Sequence, residues 1–223
     1  MKQEKNMRVT ALVCYLLLFA VWACLECAVV PKLNAMTLPV SVEVIKEIGL
    51  KILIWLIPAV FLIVKRGDAM YLNKSEILGD AKKPVNYIIL GAFLLLFSAV
   101  QMIPNYLSNG RLVFDPSFCV TAALVDLCVG TTEEFFFRGM LLNTALKDRK
   151  PAPVFLGNAL MFLMIHFPLW IMKGLFSSYA VIFSCLVIFV LSLIFSWSFV
   201  KSRSIIVPII LHAYWNMLCS ALP

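Results

Sequence analysis

The chain contains seven runs of apolar residues, and each is long enough to cross a lipid bilayer as a helix. A crossing takes about 17 to 25 residues because the hydrocarbon core is about 30 Å thick. The runs are Val9–Val30, Ile48–Val64, Val85–Ile103, Phe118–Leu146, Pro153–Trp170, Leu175–Val200 and Ile205–Leu222. Of the 223 residues, 62% are hydrophobic and 14% are charged, which is too apolar for a water-soluble domain. We therefore predict an all-α integral membrane protein, with residues 1–223 forming a single bundle of about seven transmembrane helices.

The distribution of Lys and Arg predicts the orientation of this bundle. Of the 19 basic residues, 13 fall on the side of the N-terminus and Arg138 falls within a helix. The remaining five fall on the opposite side, namely Lys32, Lys46, Lys51, Arg111 and Lys173. Since cytoplasmic loops carry the excess of positive charge, we expect the N-terminus in the cytoplasm and the C-terminus outside. This topology also explains the net charge of +7, and we expect no nucleic-acid partner.

The fourth run, Phe118–Leu146, is longer than a straight crossing requires and carries most of the buried charge. A span of this length is expected to tilt, to extend into the cytoplasm or to break near Gly130. Directly after Gly130 comes the segment TTEEFFFRG, which contains Glu133, Glu134 and Arg138. Charged side chains are costly in hydrocarbon, so such a cluster is first interpreted as a functional site.

Helical spacing assigns different roles to the two glutamates. Residues four apart share a helix face, so Glu134 and Arg138 are expected to form an ion pair, while Glu133 points about 100° away. Glu133 would then remain available as a general base that takes a proton from water during attack on a carbonyl group. The alternative interpretation is a buried network that only holds the helices together.

The chain has only two histidines, and both lie in apolar runs. The segment FLMIH places Phe162 one helical turn before His166, and the segment HAYWN places His212 and Asn216 on one face. An imidazole beside a carboxamide can donate hydrogen bonds to one developing oxyanion. Each pair could instead be structural, because hydrogen bonds between membrane helices contribute about 0.6 to 2 kcal/mol.

Together these residues could carry out hydrolysis in two ways. Glu133 with His166 could hold and deprotonate a water, while His212 with Asn216 stabilises the tetrahedral intermediate, and this mechanism requires no cofactor. Glu133, His166 and His212 could equally bind Zn²⁺ and leave an open coordination position for water. Either arrangement hydrolyses a peptide bond.

The order EExxxR, FxxxH and HxxxN, each in its own apolar helix, resembles the CPBP family of intramembrane endopeptidases. That family includes the type II CAAX prenyl proteases and bacterial bacteriocin-processing and self-immunity proteins. The resemblance covers about residues 118–222, which would form the motif-bearing protease core. It implies four catalytic residues and two supporting residues, which are Glu133, His166, His212 and Asn216, and Glu134 and Arg138, respectively.

The resemblance implies an endopeptidase that acts within the membrane on a small peptide or a membrane-anchored substrate, in peptide maturation or bacteriocin immunity. We expect a monomer in a bacterial plasma membrane, with the substrate and the lipid bilayer as its partners. A proton- or cation-coupled transporter is the alternative, because buried acids and histidines can also relay protons. A non-catalytic protein that binds a bacteriocin is the third possibility.

Overall fold

Seven long helices form the computed structural model, which describes residues 2–36, 41–79 and 83–222. In chain order they are α1 (2–34), α2 (Val42–Ala69), α3 (Pro84–Asn109), α4 (120–146), α5 (Pro151–Met172), α6 (Ala180–Ser202) and α7 (Ile206–Ala221). No strand occurs in the described part of the chain. The prediction of an all-α bundle of about seven helices is confirmed.

The outer surface of the bundle is apolar, and the polar groups face inward. Within the described ranges, five helices are long and apolar enough to cross a membrane, namely α1, α2, α3, α5 and α6. Leu95 and Phe183 are largely exposed on the outside, whereas Glu134 and Arg138 are completely buried. This is the reverse of a water-soluble protein and suits a bundle surrounded by lipid, so the protein is an integral membrane protein.

Two apolar clusters hold the helices on either side of the polar interior. The larger one joins α1, α2 and α4 around Trp55, Phe136 and Phe137, whose rings pack against one another at centroid distances of 5.6 to 5.9 Å. The smaller one joins α3, α6 and α7 around Phe97 and Phe195. The N-terminal half of the chain is therefore packed directly against the helices that carry the motifs.

Helix α4 runs without a break through Gly130, so of the three expected possibilities the break is not the one that occurs. Gly130 instead allows α4 and α7 to approach closely. A β-carbon at residue 130 would lie 2.9 Å from the backbone nitrogen of Ala213, closer than real contacts of this kind. Because residue 130 has no side chain, α4 lies close to α7, and Glu133 and Glu134 lie next to His212, the residue before Ala213.

Three helices contain π-helical turns, and three of the four turns carry charged residues. These turns span Leu25–Val29 in α1, Ile45–Leu50 and Ile52–Leu56 in α2, and Phe135–Leu142 in α4. They contain Glu26, Lys46, Glu47 and Arg138. Such widened turns are rare in proteins and occur frequently at functional sites.

Helix α2 begins at Val42, earlier than the predicted start at Ile48. The charged residues at the start of this apolar run are therefore part of the bundle. Lys46 belongs to the helix and not to the loop before it, and Lys51 is only 3% exposed.

Candidate active site

Glu134 and Arg138 form the ion pair that their spacing predicts. Nη1 of Arg138 donates to Oε1 of Glu134 at 2.9 Å, and Nη2 donates to the hydroxyl and the carbonyl oxygens of Ser192 on α6, at 2.6 and 3.1 Å. The guanidinium also lies over the rings of Phe162 and Phe195, at 4.6 and 5.4 Å from their centroids. Arg138 thus connects α4 with α5 and α6.

His212 lies between the two glutamates of α4. Its Nδ1 is 2.8 Å from Oε1 of Glu134, and its ring stacks on Phe195 with centroids 4.9 Å apart. Because the Glu134 carboxylate is paired with Arg138, it acts as an acceptor, which assigns the Nδ1 hydrogen to His212. The other ring nitrogen, Nε2, is 3.9 Å from Oε2 of Glu133.

Glu133 has an ionic partner that the sequence analysis missed. Its Oε1 accepts a hydrogen bond of 2.5 Å from Nζ of Lys51. Lys51 also lies 2.6 Å from Oε2 of Glu47. Lys46 extends the chain of charges, because its Nζ lies 2.9 Å from Glu47 and 3.0 Å from Glu26. Alternating charges from α1 and α2 thus lead to the Glu133 carboxylate.

His166 lies where α5 is interrupted. Pro168 follows it by two residues, and a proline removes one helical hydrogen bond and crowds the preceding turn. Nδ1 of His166 is 3.0 Å from the carbonyl oxygen of Phe162, and the two rings pack edge to face, as their spacing predicts. Since a carbonyl oxygen can only accept, Nδ1 carries the hydrogen and Nε2 remains free to accept another.

A cavity of about 230 Å³ joins these groups. Three of the predicted site residues line it, namely Glu133, His166 and Asn216, while His212 contacts Glu133 beside it. Asn216 is half-buried, and its carboxamide has no hydrogen-bond partner among the residues that the structure describes. The cavity also has charged and aromatic lining residues from the N-terminal half and from α4, which are Trp22, Glu26, Glu43, Glu47, Lys51 and Asp126.

The sequence contains one signal that could have identified the missed residues of α2. Glu43, Glu47 and Lys51 are spaced by four residues and so share one helix face. This face leads directly into an apolar run. Trp22 and Glu26 are also four residues apart, but Glu26 is a single charge among apolar residues of α1, so this pair gives a weaker signal.

The predicted zinc ligands do not fit a metal site. In the described parts of the chain, no group of three or more His, Cys, Asp or Glu side chains is arranged to hold a metal ion. The Lys51 ammonium contacts Oε1 of Glu133, where a cation would bind. We therefore assign no step of the chemistry to zinc.

Comparison with protein-family models gives a match in the motif-bearing half of the chain. The family model described as type II CAAX prenyl endopeptidase Rce1-like matches residues 115–218, which is just under half of the chain. No curated protein and no solved structure matches. The matched segment contains all six motif residues, so the family resemblance inferred from their order is confirmed. Residues 115–218 are therefore similar to the Rce1-like type II CAAX prenyl endopeptidases.

Proposed function

We propose that the protein hydrolyses a peptide bond within the membrane, with Glu133 as the general base that activates water. The observation that carries this proposal is the convergence of Glu133, His166 and Asn216 on one cavity, with Nε2 of His212 3.9 Å from Oε2 of Glu133. The similarity of residues 115–218 to a protease family supports the same reaction.

The attacking water is held between two acceptors. Oε2 of Glu133 and Nε2 of His166 can each accept one of its hydrogens, which leaves an oxygen lone pair free to attack the carbonyl carbon. The cavity is large enough, because one water occupies about 30 Å³ of liquid volume. Glu133 takes one proton as the carbon–oxygen bond forms, and it returns this proton to the leaving amine nitrogen when the carbon–nitrogen bond breaks.

The developing oxyanion is stabilised by Asn216 and His212. The carboxamide of Asn216 can donate directly into the cavity. Nδ1–H of His212 is engaged by Glu134, so its Nε2 can donate only when the ring is protonated. The carboxylates of Glu133 and Glu134 on either side compensate the charge of such an imidazolium.

We further propose that the substrate enters from outside the cell. The cavity is lined by the halves of α1, α2, α4, α5 and α7 that lie nearest one membrane face, and Glu43 is exposed there at the second residue of α2. The excess of basic residues at the opposite face supports a cytoplasmic location for that face. A monomer in a bacterial plasma membrane, acting on a small peptide or a membrane-anchored protein, is consistent with this arrangement.

The test compares cells that contain equal folded amounts of wild-type protein or of Glu133→Gln. Peptides released into the medium and retained in membranes are identified by mass spectrometry. We expect fragments that depend on the wild type and that fall by at least about 100-fold with Glu133→Gln, because general bases contribute about 10²- to 10⁴-fold. Glu76→Gln, which changes an exposed carboxylate remote from the cavity, serves as the control.

Persistence of the same fragments with Glu133→Gln would overturn the role of Glu133. Identical peptide profiles in all three strains, at equal folded amounts, would overturn the endopeptidase itself. That result would favour transport or binding by the buried charges.

A further inference from the structure

Lys51 lies at the centre of the site, although it belongs to no motif and precedes the segment matched by the family model. Its ammonium is 2.5 Å from Oε1 of Glu133 and 2.6 Å from Oε2 of Glu47. The rings of Trp22 and Trp55 lie 5.4 and 5.2 Å from the same nitrogen, and the residue is 3% exposed. Contacts with α1, α2 and α4 therefore fix the position of this charge.

A buried carboxyl group needs such a partner in order to act as a base. Without a compensating charge, a carboxylate taken out of water binds a proton and becomes neutral. A neutral Glu133 could not accept a proton from water. The groups around Glu133 are Lys51 from α2, His212 from α7 and His166 from α5, and the Lys51 ammonium is closer to its carboxylate than His212 is, at 2.5 Å against 3.9 Å.

We propose that Lys51 is a positioning residue that keeps Glu133 ionised and directs its second oxygen toward the attacking water. By binding Oε1, the ammonium leaves Oε2 facing His212 and the cavity. This inference rests on the proposed function, because a base can be positioned only for a reaction that occurs.

Glu47 provides a second counter-charge for the Lys51 ammonium. When Glu133 takes a proton from water, its attraction for the ammonium falls, and a buried ammonium without a counter-ion is strongly unfavourable. Glu47 remains 2.6 Å from Lys51 throughout, so the positive charge keeps a partner. Lys51 is shared between Glu47 and Glu133. Lys46, 2.9 Å from Glu47, gives the Glu47 carboxylate a second positive charge.

The chain offers a matched control for Lys51. Lys65 is the same residue type and lies on the same helix, but it is exposed near the other end of α2, and its ammonium lies over the ring of Phe61. Lys51→Met and Lys65→Met each remove one ammonium at similar side-chain length. Lys51→Arg retains the charge, and Lys51→Gln retains a hydrogen-bond donor without the charge.

Infrared difference spectra report the ionisation of Glu133 without a substrate. Each protein, in lipid nanodiscs, is compared with the same protein carrying Glu133→Gln in addition. We expect the bands of a carboxylate in the wild type and in Lys65→Met, and the carbonyl band of a protonated carboxyl in Lys51→Met. A carboxylate signal that persists in Lys51→Met would overturn the proposal.

Kinetics test the catalytic consequence. The probe is an internally quenched peptide that spans a bond cleaved only in cells with the wild-type protein. For Lys51→Met we expect kcat to fall at least about 100-fold with KM changed less than about threefold, which is the pattern for a lost transition-state interaction. Lys51→Arg should recover part of kcat, and Lys65→Met should stay within about threefold of the wild type.

Two outcomes separate the hypotheses. If the wild type cleaves no peptide, the proposed function fails, and the positioning role fails with it. If the wild type is active and Lys51→Met matches Lys65→Met in kcat, only the role of Lys51 is overturned. If Lys51→Met does not accumulate as folded protein, Lys51→Gln decides, because a wild-type kcat in that variant shows that no charge is needed.

Discussion

His212 presents Nδ1 to Oε1 of Glu134 at a distance of 2.8 Å, and Glu134 is completely buried. The same oxygen accepts the hydrogen bond from Arg138. The second glutamate of the EExxxR motif therefore orients the histidine of α7, whose other nitrogen faces Glu133. Two adjacent carboxylates on one helix thus have separate tasks: one fixes the geometry and the other is available for reaction.

Replacing Glu134 should destabilise the protein. Glu134→Gln leaves the completely buried guanidinium of Arg138 without a counter-charge, which typically costs about 3–5 kcal/mol. Glu76→Gln is the control, because it breaks an exposed pair with Arg203 that contributes at most about 1 kcal/mol. Unfolding of both variants in detergent measures the difference. Equal stability of the two variants would contradict this role of Glu134.

Replacing Gly130 should separate α4 from α7. The added methyl group of Gly130→Ala would meet the backbone of Ala213, which cannot move aside like a flexible side chain, and overpacking typically costs about 1–3 kcal/mol. Gly91→Ala is the matched control on α3, where a β-carbon meets no atom within 4 Å. Thermal stability and the rate of peptide cleavage should both decline in Gly130→Ala. Neither should decline in Gly91→Ala. Unchanged cleavage by Gly130→Ala would show that the close approach is not required.

Replacing Asn216 should affect the reaction and leave stability intact. Within the described residues its carboxamide makes no hydrogen bond that Asn216→Ala would break. Loss of one oxyanion donor typically lowers kcat by about 10²- to 10³-fold. A variant that unfolds more readily but cleaves normally would instead indicate a packing role.

Chelators should not inhibit the protein. The Lys51 ammonium already compensates the charge of Glu133, and the predicted zinc ligands are not arranged around a common point. We expect purified protein to contain far less than one zinc per chain and to cleave peptide equally with and without EDTA. Near-stoichiometric zinc that is lost in His166→Ala, together with activity, would reverse this assignment.

The orientation can be tested by thiol labelling in a variant that lacks the native cysteines. Glu43→Cys should react with a membrane-impermeant maleimide in intact cells, because Glu43 is exposed at the mouth of the cavity. Lys147 directly follows α4, at the end of this helix that is remote from the cavity mouth. Lys147→Cys should react only after the cells are permeabilised. The reverse pattern would place the cavity mouth in the cytoplasm.

Much of the fold could be predicted from the sequence because lipid imposes a simple rule. Each crossing requires a long apolar run, and the seven runs correspond to seven helices. Spacing within a helix also predicted the pair of Glu134 with Arg138 and the contact of Phe162 with His166. These relationships are local, so no knowledge of the packing was needed.

The residues that were missed depend on contacts between distant segments. Lys51 and Glu133 are 82 positions apart, and nothing in either run specifies that α2 lies against α4. Charges at the edge of an apolar run resemble a loop, which placed Lys46 outside the bundle. The π-helical turns, which change the side-chain register at Glu26 and Glu47, have no sequence signature that we could use.

The dependence of Glu133 on Lys51 also limits what can be transplanted. The segment that matches the family model begins after Lys51, the residue that compensates the charge of the Glu133 carboxylate. A chimera that grafts residues 115–218 onto another membrane scaffold would carry all three motifs and still lack that ammonium. In this protein the family match covers one half of the chain, whereas the charge balance at Glu133 depends on residues from both halves.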